Sequence, residues 1–210
     1  MKHLPNILTG LRLILTLVVF LAMLGLASQP FAMWAAGKGA DPATVQSALY
    51  FTAFWGFVIA AVTDFFDGWL ARRYKVESLL GAILDPIADK VLVAGAVVGL
   101  AILGSWMVAA AGGLILFREF AVSALRETLA PKGLTLPVTL LAKWKTTLQL
   151  VALAGQLFVP GWGFWDLPRD MALVHQAMMA ANIVLWLAVA VTLWTGLEYG
   201  LAARKALRVG

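Results

Sequence analysis

The 210-residue chain contains no cysteine and only two histidines, His3 and His175. Disulfides, thiolate metal sites and cysteine nucleophiles are thereby excluded. Charge is scarce as well: Asp, Glu, Lys and Arg make up 13% of the residues, where an ordinary soluble domain carries about 25%. So few charges cannot cover a water-facing surface. What is abundant is the apolar class, at 62% of the residues with a mean hydropathy of +0.89. That excess must face lipid.

A membrane crossing needs about 20 mainly apolar residues. Six segments qualify, at 7–27, 45–66, 82–103, 106–125, 140–159 and 178–197. The stretches between them carry Gly, Pro and Ser at 29–30, 37–42, 104–105, 130–137 and 160–168, and each is short. The expectation is an all-α integral membrane protein whose six transmembrane helices form one catalytic domain over 1–210. The first segment has some marks of a cleavable signal, with Lys2 and His3 ahead of it and Gly25-Leu26-Ala27 behind. Its length and the interruption at Arg12 argue for retention.

Orientation follows from the basic residues, which favour the cytosolic side. With the N-terminus inside and six crossings, only Lys38 and Arg169 of the 16 Lys and Arg fall on the outer face. Both termini are therefore expected in the cytosol, in a multi-pass protein of the cytoplasmic (inner) membrane. The net charge of +5 is modest. Basic residues gathered at a membrane surface suit anionic lipid headgroups or phosphorylated substrates, and nucleic acid is not expected.

Four of the 11 acidic residues, Asp64, Asp67, Asp85 and Asp89, sit at the cytosolic ends of the second and third segments. A central membrane Asp costs about 2.5–3.5 kcal/mol, so such groups line a cavity or meet a cation. Asp64 and Asp67 are three apart, Asp85 and Asp89 four apart, and either spacing shares one helix face. Two antiparallel helices then aim two carboxylates each at one cleft. Their mutual repulsion in a low dielectric is relieved by divalent cations, and oxygen-only ligands favour Mg²⁺ or Mn²⁺ over zinc or copper. Gly68 and Gly81 leave backbone open to a ligand, and Arg72 offers a guanidinium fork that matches phosphate.

Read as one string, residues 64–89 are D-x2-D-G-x2-A-R-x8-G-x3-D-x3-D. This resembles the signature of the CDP-alcohol phosphatidyltransferase family, with every fixed position filled. The resemblance implies a six-helix membrane enzyme, often a homodimer, whose site opens toward the cytosol and the lipid. By it, Asp64, Asp67, Asp85 and Asp89 would hold two divalent cations, Mg²⁺ or Mn²⁺, and Asp89 would also be the base for the acceptor alcohol. Gly68, Ala71 and Arg72, with Gly81 nearby, would contact CDP-diacylglycerol.

Three further stretches are similar to the branch of that family that makes phosphatidylglycerophosphate. One is Leu4-Pro5-Asn6-Ile7-Leu8-Thr9-Gly10-Leu11-Arg12, where the plainer reading is a helix start with Arg12 snorkelling to the surface. The second runs Phe117-Arg118-Glu119 through Ser123-Ala124-Leu125-Arg126. The third is Lys143-Trp144-Lys145-Thr146-Thr147 with Gln149, where Ala142 stands in place of a usual Gly. Two lysines at a helix start oppose the helix dipole, which favours an anionic ligand there. Arg118, Arg126, Lys143 and Lys145 are thus candidates for the phosphate of glycerol 3-phosphate. The plainer alternatives are an intramembrane Arg–acid pair for Arg118 and surface anchoring for the lysines.

Sister transferases that use serine, inositol phosphate or phosphatidylglycerol are the nearest competing reading. A divalent-cation transporter is a distant one, because its acids would be spread across the membrane depth. Gly95-Ala96-Val97-Val98-Gly99 could seat a neighbouring helix or a second copy. Trp34, Trp106, Trp162 and Trp165 read as interfacial anchors.

Overall fold

The fold was examined in a computed structural model. It describes the backbone of residues 4–74, 79–132, 140–168 and 170–209, and their side chains except at 4–8, 65–74, 79–83, 85, 86, 132, 140, 142, 143, 208 and 209. The described chain is helical throughout, with no strand among the described residues. The helices are α1 (Leu4–Ala27), α2 (Gln29–Gly37), α3 (Pro42–Tyr74), α4 (Leu79–Ile102), α5 (Trp106–Leu129), α6 (Leu140–Phe158) and α7 (Met171–Val209).

Each of the six apolar segments falls on one helix, and α2 is an addition. Gln29-Pro30 looks like a break, but here it begins a helix capped by Ser28. The Ser28 hydroxyl accepts from Phe31 N at 3.2 Å, and a proline in a first turn has no N–H to waste. Elsewhere the breakers behave as read. Gly104 follows α4 at φ +89°, and Ser105 caps α5 by accepting from Val108 N at 3.4 Å. Asp41 and Asp170 are caps too, accepting from Thr44 N and Ala172 N at 2.9 and 2.8 Å.

Among the described residues, four stretches are long and apolar enough to cross a membrane: Thr9–Ala27, Pro42–Asp64, Trp106–Leu129 and Met171–Leu207. Helix α7 extends past the apolar segment read at 178–197 at both ends, and its apolar stretch takes in nearly the whole helix.

The helices pack as two groups of three. Helix α1 lies against α3 and α4, while α7 lies against α5 and α6; the α4–α5 and α3–α6 contacts join the groups. Val19, Met23, Phe57, Leu92, Ile115, Leu153 and Leu185 are buried along these seams. Gly99 lets α4 approach Met23 of α1 closely, and Gly112 does the same for α5 against Val97 of α4; a β-carbon at either would overlap the facing side chain. Gly95 likewise faces Thr16 of α1. The small-residue motif on α4 therefore seats a helix of its own chain.

The tryptophans divide. Trp34 and Trp106 are exposed, at 61% and 74%, as anchors should be. Trp165 instead stacks on Phe158 with ring centroids 5.1 Å apart, meets Phe54 edge-on, and donates its indole N–H to the Phe158 carbonyl at 3.0 Å. It closes one end of the α3–α6 seam rather than anchoring freely.

Candidate active site

A cavity of about 360 Å³ lies where the two helix groups meet. Helices α3 and α4 give it Asp64 and Asp89; α5, α6 and α7 give it Arg118, Glu119, Arg126, Lys145 and Tyr199. One chamber thus has an acidic wall and a basic wall, on opposite helix groups.

On the acidic wall, Asp64 and Asp89 are part-exposed, with side-chain exposures of 33% and 45%. Both point at the same atom. Nη1 of Arg12 on α1 lies 2.7 Å from Asp64 Oδ1 and 3.0 Å from Asp89 Oδ1. The Arg12 side chain has no solvent exposure, so it does not snorkel. The reason is its position on α1: Arg12, Thr16, Val19 and Met23 are all buried and form one inward stripe at helical spacing. Thr9, also fully buried, lies one turn before Arg12.

Asp67, Gly68, Ala71 and Arg72 belong to α3, Gly81 and Asp85 to α4, and Lys143 to α6. Their side-chain surroundings, and those of Asn6, lie outside the described residues. Of the four aspartates, Asp64 and Asp89 have described side chains. The two carboxylates already converge on one cationic nitrogen, and their donors are hard oxygens, which suits a divalent cation of the Mg²⁺ or Mn²⁺ kind. No group of three or more potential metal-binding side chains occurs among the described residues.

The basic wall is not a row of waiting cations. Arg118 is 6% exposed and its donors are engaged. Its Nε donates to the Thr192 carbonyl at 3.1 Å, Nη2 to the Thr195 hydroxyl at 3.0 Å, and Nη1 to Glu119 at 3.4 Å. Lys145, also buried, forms an ion pair with Glu119. Gln149 donates to Glu119 at 3.4 Å and to the Thr192 hydroxyl at 2.7 Å. A buried charge is tolerable only when paired and hydrogen-bonded. This network meets that condition by joining α5, α6 and α7.

Arg126 is different. It is exposed, donates to the Tyr199 hydroxyl at 3.0 Å, and its guanidinium carbon sits 4.9 Å from the centre of that ring. Lys90, beside Asp89, reaches across the cavity edge to Ser123 of α5. Of the predicted basic set, Arg118, Arg126 and Lys145 come together at this cavity, with Arg118 and Lys145 committed to the wall. Sequence reasoning missed Lys90, Thr192, Thr195 and Tyr199. A signal existed for the last three: they recur at intervals of three and four residues on the otherwise apolar α7, marking one polar stripe. Gly196 belongs to that stripe, and a β-carbon there would stand 2.7 Å from Arg118 Cγ.

Residues 2–194 match the family model for CDP-alcohol phosphatidyltransferase, a span that takes in the acidic wall and most of the basic one. The chain belongs to the CDP-alcohol phosphatidyltransferase family. Membership makes it a membrane-embedded enzyme of the phosphatidyl-transferring class, and the family generally depends on divalent cations. Similar proteins include three named CDP-diacylglycerol–glycerol-3-phosphate 3-phosphatidyltransferase. The one from Cereibacter sphaeroides is 50% identical over 125 residues, which cover 55% of this chain and 56% of that protein. The Rickettsia bellii protein is 41% identical over 149 residues, covering 71% and 77%. That of Escherichia coli K12 is 43% identical over 154 residues, covering 72% and 78%. Against the first of these, the match spans little more than half the relative's length.

Proposed function

We propose that this enzyme transfers the phosphatidyl group of CDP-diacylglycerol to sn-glycerol 3-phosphate, giving phosphatidylglycerophosphate and CMP. The observation that carries the reading is one cavity with Asp64 and Asp89 on one wall and Arg126 and the Arg118–Glu119–Lys145 network on the other, with Lys90 at the edge between them. An acceptor that brings its own phosphate has a use for the second wall; serine has less. The names of the relatives agree with this choice.

In this reading Asp64, Asp67, Asp85 and Asp89 hold two divalent cations, Mg²⁺ or Mn²⁺. Bound there, the cations would neutralise charge on the diphosphate and on the departing CMP. The chain's own groups do the rest. Asp89 accepts the proton of the acceptor hydroxyl as that oxygen bonds to the lipid-side phosphorus. The bond from that phosphorus to the bridging oxygen breaks, and CMP leaves with the electron pair. Gly68, Ala71, Arg72 and Gly81 take the CDP side. Arg126 and Lys143 meet the acceptor's phosphate, while Arg118 and Lys145 hold the wall that carries them. The cavity confines both substrates, so much of the rate comes from orientation.

The same reading has six crossings, α1, α3, α4, α5, α6 and α7, with both termini and the cavity mouth toward the cytosol of a cytoplasmic membrane. The placement of Lys and Arg supports it. Two copies associating is expected from the family resemblance, and would use a face other than Gly95 and Gly99, which are occupied by α1.

The deciding experiment is CMP release by the purified enzyme from CDP-diacylglycerol with Mg²⁺ or Mn²⁺ and a panel of alcohols. Turnover with glycerol 3-phosphate is expected. Turnover with serine in its place overturns the acceptor. Asp89→Asn should lose nearly all turnover yet keep CDP-lipid binding; a variant that stays active removes Asp89 as the base.

A further inference from the structure

Arg12 has the position of a core residue and the charge of a surface one. It continues the buried stripe of α1, two turns before Val19, at the end of the helix nearest the aspartates. The helix is held there by apolar packing against α3 and α4, where Val19 lies near Gly56 and Met23 near Gly99. Thr16, one turn on, gives its hydroxyl to the Arg12 carbonyl at 2.8 Å and adds no charge. The guanidinium is therefore delivered between Asp64 and Asp89 by a rigid element, with one nitrogen touching both carboxylates.

The arrangement answers an electrostatic difficulty on each side. A fully buried arginine is strongly disfavoured unless carboxylates meet it. Two carboxylates on different helices, drawn into one low-dielectric cavity, repel unless a cation lies between them. One positive charge between two negative ones removes most of that repulsion and still leaves the pair negative, so it continues to attract a divalent cation.

We propose that Arg12 is the built-in counter-ion of the acidic wall: a positioning residue that keeps Asp64 and Asp89 converged before a divalent cation arrives. The inference rests on the reading of those aspartates as metal ligands. It assigns Arg12 no contact with substrate and no part in the bond changes.

The test compares thermal midpoints of the purified full-length protein in detergent, once with a chelator and once with saturating Mn²⁺; Mn²⁺ binding by the parent is followed independently by electron paramagnetic resonance. Arg12→Gln should lower the midpoint in chelator, and Mn²⁺ should close more than half of the gap to the parent, because the bound cation takes over the neutralisation. Adding Asp64→Asn to Arg12→Gln should raise the midpoint in chelator, since the repulsion is then gone. A gap of equal size with and without Mn²⁺ overturns the proposal and makes Arg12 an ordinary packing residue. The absence of any gap overturns it as well. If Arg12→Gln does not yield folded protein, the double variant Arg12→Gln/Asp64→Asn decides: recovery of folded protein supports the counter-ion role, and its failure to fold as well overturns it. A parent that neither binds Mn²⁺ nor gains stability from it refutes the metal site and the counter-ion role together. A responsive parent with an unresponsive gap refutes the counter-ion role alone.

Discussion

Glu119 of α5 and Lys145 of α6 form an ion pair between two helices, with side-chain exposures of only 20% and 5%. Arg118 and Gln149 also donate to the same carboxylate oxygen. Glu119 is thus the acceptor on which the basic wall converges. Removing one partner of a buried pair strands the other charge, which costs about 3–5 kcal/mol. Glu119→Gln should therefore lower stability by roughly 3 kcal/mol, near the bottom of that range because Glu119 keeps some solvent. The double variant Glu119→Leu/Lys145→Met should recover part of the loss, short of the whole because Arg118 still loses a partner. A double-mutant cycle on thermal unfolding measures both; a simple sum of the single effects would remove the coupling.

Gly196 is the place on α7 where Arg118 crosses. A β-carbon there would meet Arg118 Cγ at 2.7 Å, in the middle of a side chain tethered at its far end to Thr192 and Thr195. Overpacking of this kind costs about 1–3 kcal/mol. Gly196→Ala should destabilise and Gly196→Val more so. Gly200, one turn on, has nothing within 4 Å of the corresponding position. Gly200→Ala should be neutral or slightly stabilising, since alanine is the better helix former by about 1 kcal/mol. Equal effects at the two positions would place the cost elsewhere than in the Arg118 contact.

Tyr199 both stacks under Arg126 and accepts its hydrogen bond. Tyr199→Phe keeps the ring and removes the acceptor. A hydrogen bond to a charged group is worth about 1.5–3 kcal/mol when fully formed, and less for an exposed donor such as Arg126. The Michaelis constant for glycerol 3-phosphate should rise about three- to tenfold, with kcat and the constant for CDP-diacylglycerol little changed. An unchanged acceptor constant would take Arg126 out of phosphate recognition. Lys143→Ala, assayed beside it, asks the same question of the start of α6.

Asp41 caps the start of α3, and the Thr44 backbone N–H, then its hydroxyl, hold the carboxyl below its ordinary range. A carboxyl depressed in the folded state stabilises the fold above its unfolded value, and that contribution fades as pH falls through the folded one. The difference in thermal midpoint between parent and Asp41→Ala should therefore be constant near neutrality and shrink in acid. The residue is fully exposed, so the difference should be small. A gap that widens with acid would contradict the cap.

Apolar length placed six segments that each fall on one helix, and the signature at 64–89 pointed to the family whose model matches residues 2–194. Both are local properties of the chain: an apolar segment long enough to cross is read from about 20 consecutive residues, and a signature is read from residue types at fixed spacing. The loop helix α2 escaped that reading because Ser28 and Pro30 suit a helix start as well as a break. The direction of Arg12 escaped it too, since a basic residue at a membrane helix end snorkels or turns inward according to what the next helices offer. Here α3 and α4 offer two carboxylates. The basic wall depended most on tertiary structure. Arg118, Glu119, Lys145 and Gln149 stand on two helices, and their remaining partners, Thr192, Thr195 and Tyr199, lie more than forty residues further along the chain. Only packing of α7 against α5 and α6 determines which of these cations are used inside the wall and which face the cavity, because burial forces every charge it removes from water to find a partner.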